Sequence, residues 1–231
     1  MKNNLHPLAI RANPSVWQIC RGYQGTLGAL PEGLFKQALM RDENTCQFCG
    51  FRSVHGMVPY HLDDDHENNT LDNVATSCAM CHMMQHLGFV LDERIGYLIY
   101  LPELSQAELN NLIRTIHLYQ RFNIPSSFLN YVENCHDLLM EREQIAKKLL
   151  DASESGLATL KASVCRLKKA YWAQVEDRLK DLKIVFKHQI PVSGAQSFPE
   201  LLEKFLSEKD TGMISAPPNG WDEIVMKLTA V

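Results

Sequence analysis

Apolar positions along the chain change their spacing near residue 102, and the change divides the sequence into two styles of structure. Upstream, hydrophobic residues come in short runs broken by turn formers. Residues 1–31 are mixed and turn-rich, which predicts irregular strands or loops. Pro31-Glu32 places a proline near the first turn of a short helix, Leu34 to Met40. Arg41-Asp42-Glu43-Asn44 then breaks that helix. The stretch FRSVHGMVPYHL, between Gly50 and Leu62, predicts a β-hairpin turning at His55-Gly56. Asp63 to Asn73 (DDDHENNTLDN) is a polar loop, and a helix is expected from the second CxxC pair through His86. Ile95 to Leu101 (IGYLIYL) is the longest apolar run and has the length of a strand.

Downstream the period becomes helical. Ser105-x-x-Glu108 is a capping box that opens a helix running to about Phe122. Pro125-Ser126 starts the next, with Phe128, Tyr131, Val132, Cys135, Leu138 and Leu139 at helical spacing. Leu157, Leu160, Val164, Leu167 and Tyr171 step by three and four, followed by Leu179, Leu182 and Phe186, a stripe that reads as bundle core. A short helix over 198–206, a Pro-Pro-Asn-Gly break at 217–220 and a last helical stretch from Trp221 close the sequence. The expected organisation is one domain over residues 1–102 and a helical extension over 103–231.

Composition adds limits. With 45% hydrophobic and 22% charged residues, the 231-residue chain can bury a core. No apolar run approaches the roughly 20 residues needed to span a bilayer. The start, MKNNLHPLAIRANP, lacks the continuous apolar stretch of a signal peptide, so a cytoplasmic location is expected. Net charge is −4, which argues against nucleic acid as a partner. Residues 1–90 carry six Lys/Arg against eight Asp/Glu, and residues 156–188 carry eight against three, a basic face that reads as solvated. Trp17, Trp172 and Trp221 are candidate interface anchors or buried core.

Seven cysteines are an odd number, which speaks against a fully paired disulfide framework. Four of them form two pairs, Cys46-x2-Cys49 and Cys78-x2-Cys81, separated by 28 residues. Each pair can present two sulfurs from one tight turn, and two such turns complete a tetrahedral four-sulfur shell at about 2.3 Å from one zinc ion. Gly50 suits the sharp turn after Cys49, because glycine accepts a left-handed backbone. A closed shell leaves no position for water, so the expected ion is structural and contributes on the order of 10 kcal/mol to folding.

Five of the nine histidines lie between the knuckles or just beyond them: His55, His61, His66, His82 and His86. His82 and His86 are four apart on the expected helix and share a face. Such a collection could hold a second divalent ion, with one histidine activating water for phosphodiester hydrolysis. The segments RDENTCQFCG, YHLDDDHENNTLDN and SCAMCHMMQH together resemble the ββα core of HNH-type endonucleases framed by a zinc knuckle. The resemblance implies His61 in the general-base position, Asn73 as the loop asparagine and His82 as the metal-side histidine. Tyr60 stands where that family's first metal ligand belongs, and a phenol titrating near ~10 ligates hard cations poorly. Asp63 or Asp65 are alternative ligands, and Asn73 can equally pin its loop through backbone hydrogen bonds. The fold class expected is α+β, an HNH-like ββα zinc-knuckle domain followed by a mainly helical extension.

A second set of motifs is more specific. TCQFCGF, LDDDHENNTLDNVATSC and LIYLPELSQAELNNL resemble the IcmJ/DotN component of type IVB secretion systems, over roughly residues 35–120. That resemblance implies a non-enzymatic adaptor in the coupling complex, bound to the coupling-protein ATPase and to other coupling-complex subunits. It implies effector recruitment without a small-molecule substrate, and a place at the inner membrane held only through partners. The retained His61 and His82 keep a metal-dependent HNH endonuclease as the alternative.

Overall fold

The computed structural model describes residues 5–13, 30–122, 129–150, 166, 168–187, 200–201 and 203–204. In chain order the elements are α1 (Leu34–Arg41), β1 (Met57–His61), β2 (Val74–Cys78), α2 (Ala79–His82), a 3-10 turn (Met83–His86) and α3 (Leu87–Asp92). Then come β3 (Gly96–Tyr100), α4 (Gln106–Phe122), α5 (Leu129–Leu149), a 3-10 turn (Lys169–Tyr171), α6 (Trp172–Leu179) and β4 (Leu182–Phe186). The described chain is thus α+β, with two small antiparallel sheets, β1–β2 and β3–β4.

Helix α1 starts at Gly33, whose φ of 82° suits a residue without a Cβ. Its buried face, Leu34 and Ala38, packs on Val74 of β2. The Asp42 carboxylate just after the helix accepts from the Thr76 N–H at 2.8 Å and from Arg41 Nε at 2.7 Å. Arg41 also donates to the Val74 carbonyl at 2.9 Å, so the end of α1 is pinned to β2 from both sides.

The hairpin expected to turn at His55-Gly56 is not formed. β1 pairs instead with β2, in register from Met57↔Cys78 to His61↔Val74, so the polar loop 62–73 is the connection. The reason lies in the first knuckle: the Cys46 N–H bonds the Phe51 carbonyl at 2.8 Å and Thr45 bridges Arg52, which engages the segment before Gly56 with the knuckle. The helix expected through His86 is longer and broken. His86 leaves the helical basin (φ −110°, ψ 42°), and α3 continues to Asp92 beyond it.

The capping box forms as expected: Glu108 N–H donates to Ser105 Oγ at 3.2 Å and Ser105 N–H to Glu108 Oε2 at 2.7 Å. α4 then buries Leu109, Leu112, Ile113 and Ile116. Leu182 and Phe186 are not helical, a second correction. They belong to β4, whose five residues are all buried. A strand covered on both faces loses the alternation of period two, and here Leu179, Leu182 and Phe186, three and four apart, imitated helical spacing.

α5 lies across β3 and contributes Cys135, Leu139 and Ala146 to the core. One contiguous core includes the four paired cysteines, β3, β4, α4 and α5, and so draws on residues on both sides of position 102. Among the described residues no helix is long and apolar enough to cross a membrane. Trp172 is partly buried against that core. The expected elements at 125–128, 157–164 and 217–221, with Leu167, Trp17 and Trp221, lie outside the described residues.

Because Phe186 is fully buried, Phe186→Ala should cost about 3–5 kcal/mol in urea denaturation. Ser105→Ala, which removes one cap, should cost only about 1 kcal/mol in the same measurement.

Candidate metal centre and the histidines beside it

The first knuckle is a tight backbone turn. Gly50 N–H donates to the Cys46 carbonyl at 3.0 Å, and Gly50 takes φ 73°, as its place after Cys49 requires. Gln47 N–H donates to the Thr76 carbonyl at 2.9 Å and sews this turn to β2. The second knuckle follows directly: Cys78 ends β2 and Cys81 lies in α2, so the strand-to-helix transition presents both sulfurs on one side.

All four cysteines are buried, and their sulfurs lie within 4.8 Å of one another. No disulfide joins them. Cys49 Sγ and Cys78 Sγ are 3.8 Å apart, far beyond a disulfide bond at about 2.05 Å. The same separation matches the edge of a sulfur tetrahedron, about 3.8 Å for metal–sulfur bonds near 2.3 Å. The residues therefore fit a metal ion bound by four thiolates, with every position filled by protein. Among the described residues this is the single group of three or more His, Cys, Asp or Glu side chains that converges in this way.

Helix α4 brings two polar side chains to these sulfurs and a third to the Cys49 backbone. Arg114 Nη2 lies 3.2 Å from Cys78 Sγ and 3.8 Å from Cys49 Sγ, and Asn110 Nδ2 lies 3.3 Å from Cys81 Sγ. Asn111 Nδ2 donates to the Cys49 carbonyl at 3.0 Å and its Oδ1 accepts from Arg114 Nη1 at 2.7 Å. The Arg114 guanidinium is 4.0 Å above the Phe51 ring. Burial works against its charge, but the sulfurs, Cys78 first, outweigh burial and raise its pKa. Sequence reasoning missed these residues. The available signal was a row of polar side chains four apart, Gln106, Asn110 and Arg114, set among Leu109, Ile113 and Ile116 on a helix that must be buried.

The histidines form a chain of rings beside the centre. Ring centroids are 4.9 Å apart for His61–His66, 6.0 Å for His66–His86 and 4.8 Å for His82–His86. His82 Nε2 and His86 Nε2 are 3.0 Å apart and share one hydrogen bond. His61 Nε2 is 2.9 Å from Asn69 Oδ1. Burial, followed by the fields of His86 and His66, pushes His82 well below the usual imidazole range. His66 is lowered by burial and then by His61.

The carboxylates nearby are engaged elsewhere. Asp63 Oδ1 accepts from Asn73 Nδ2 at 2.8 Å, and Asp65 Oδ1 accepts from the Glu67 N–H at 3.0 Å. Asp64 forms an ion pair with Arg11 at 2.7 Å and accepts from Gln85 Nε2 at 2.9 Å. Asn73 pins the loop: its Oδ1 accepts from the Asp63 N–H at 3.1 Å and its Nδ2 donates to the Asn68 carbonyl at 2.9 Å. Tyr60 is buried, with its ring 4.3 Å from that of Phe48. Burial and then the Asp64 charge drive its hydroxyl far above the usual phenol range, so it remains protonated. His55 stands apart from these rings, on the turn where its N–H donates to Ser53 Oγ at 3.0 Å.

No family model matches the chain. The chain is 32% identical over 146 residues to the type 4 apparatus protein DotN of Legionella pneumophila. The match takes in 61% of this chain and 65% of that protein, a little under two thirds of the relative's length. The chain is a relative of DotN, in agreement with the resemblance carried by the knuckles and by LPELSQAELNNL.

Two outcomes follow from this geometry. Cys78→Ser opens the sulfur shell, and the purified variant should lose its bound metal by elemental analysis and melt well below the parent. The lowered His66 pKa means that the unfolded chain, with an ordinary value near 6.5, binds the proton more readily. Its contribution to stability is therefore complete above pH ~6.5 and is lost as pH falls from there toward the lower folded value. Denaturation midpoints at pH 7.5 and 5.5 should differ less in His66→Asn than in the parent.

Proposed function

We propose that this relative of DotN is a zinc-stabilised, non-enzymatic adaptor subunit of a type IVB secretion coupling complex, and that it binds the coupling-protein ATPase for effector recruitment. The observation that carries the reading is the joint one: similarity to a type 4 apparatus protein, together with a buried four-cysteine centre whose four positions are all filled by protein. Zinc is the ion assigned, because four thiolates in tetrahedral array suit it and it has no redox demand. In this reading the β1–β2 hairpin with α2 and α3 is an HNH-like ββα element within residues 1–102, and residues 103–231 extend it. The protein works at the cytoplasmic side of the inner membrane and associates with it through partners.

The arrangement supports the non-enzymatic role in three places. Tyr60 remains a protonated phenol, Asn73 is committed to the loop, and Asp63 and Asp65 hold loop donors. A second reading, a metal-dependent HNH endonuclease with His61 as base, draws on His61 at the end of β1 and His82 on α2.

A tagged chain recovered from its native cells should bring down the coupling ATPase in a fixed, near-stoichiometric ratio by quantitative mass spectrometry. Its absence would overturn the adaptor role. Purified protein should not nick plasmid DNA with magnesium or manganese. Nicking that vanishes in His61→Ala would establish the second reading instead.

A further inference from the structure

A divalent ion with four thiolates carries a net charge of −2, and burying that charge needs compensation. The described structure holds one buried cation in the right place. Arg114 is 3% exposed, and among the described residues no carboxylate forms an ion pair with it. Its Nη2 faces two of the four sulfurs, at 3.2 Å and 3.8 Å, and Asn110 Nδ2 faces a third at 3.3 Å. A guanidinium left in this interior without a counter-charge would be strongly destabilising, so the sulfurs are its partner and must carry the negative charge.

The contacts continue beyond α4. Asn110 Oδ1 accepts from Gln106 Nε2 at 2.8 Å, and the same nitrogen donates to the Ile184 carbonyl at 2.9 Å. Ile184 N–H in turn donates to Gln106 Oε1 at 2.9 Å, and His117 Nε2 donates to the Phe186 carbonyl at 2.9 Å. A fully buried relay therefore runs from Cys81 Sγ through Asn110 and Gln106 to β4.

We infer that Arg114 and Asn110 are positioning residues of the metal centre, and that through them the ion fastens α4 and β4 as well as its own two knuckles. The inference rests on the metal-centre part of the proposal above and is independent of the adaptor role. It also explains why these polar groups sit on the buried face of an otherwise apolar helix stripe. Hydrogen bonds to metal-bound sulfur draw electron density from it, lower the local charge and slow protonation and loss of the ligand.

The test uses the full chain loaded with cobalt(II), whose sulfur-to-metal charge-transfer absorption reports the thiolates directly. Arg114→Met and Asn110→Leu should bind cobalt about 10–100-fold more weakly in chelator competition, with a shifted charge-transfer band. Arg114→Lys should recover part of the loss. Arg121→Met, on the same helix as Arg114, removes only an exposed ion pair to the distant Glu203 and should match the parent. Chelating the metal from the parent should speed amide exchange across 182–186, and Asn110→Leu should speed it with metal present. If Arg114→Met fails to fold, Asn110→Leu decides alone, since it is close to isosteric and adds no charge. Folded variants with the parent's affinity and spectrum would overturn the inference. A parent chain that takes up no cobalt on sulfur would overturn the metal centre itself, and this outcome is distinct because it needs no variant.

Discussion

The convergence of Cys46, Cys49, Cys78 and Cys81 in one buried shell is the constraint on which the rest of the described structure depends. Two of these sulfurs come from a tight backbone turn flanked by the buried Phe48 and Phe51, and two from the junction of β2 with α2. Thr76, two strand positions before Cys78, supplies both its N–H to Asp42 and its carbonyl to Gln47, so α1, the first knuckle and β2 meet at a single residue. The proposed ion closes this assembly from within. Its excess negative charge then accounts for the placement of Arg114 and Asn110, which would otherwise be expensive passengers on a core-facing helix.

The histidine chain shows a different physical logic. Its members are close enough to interact, and three of the four hold a hydrogen bond, His61 to Asn69 and His82 to His86, while the flanking acids are bound to loop donors or to Arg11. For His66 and His82 this packing disfavours the charged ring, because an added proton would face desolvation and its neighbours' charge. The cluster does not gather the ligand atoms for a hard cation, whose usual carboxylates are spent on folding the loop.

Much of this was legible in the sequence because it was local. The two CxxC pairs, Gly50 after Cys49, the Ser105–Glu108 capping box and the β3 run each need only a few neighbouring residues to specify them. What escaped depended on distant partners. The hairpin was assigned to FRSVHGMVPYHL because the alternation was adequate, but the true partner of Met57–His61 lies across a twelve-residue connection, 62–73, that no local pattern points to. β4 was read as helix because a strand buried on both faces loses its period of two. Arg114 and Asn110 were invisible for a related reason: their partners are sulfurs at least 29 residues away in sequence, so a polar position on a buried helix face had no apparent cause.

Similarity to a type 4 apparatus protein and a closed sulfur shell point the same way, toward a protein whose value is its shape and its partners. In that account the metal is what makes the shape: it fixes the knuckles, sets the charge that α4 answers, and through α4 steadies β4. X-ray absorption at the zinc edge of the purified chain tests this most directly. The account predicts one zinc per chain with four sulfur neighbours at about 2.3 Å. Zinc with nitrogen or oxygen in its shell, or iron with inorganic sulfide in its place, would contradict it.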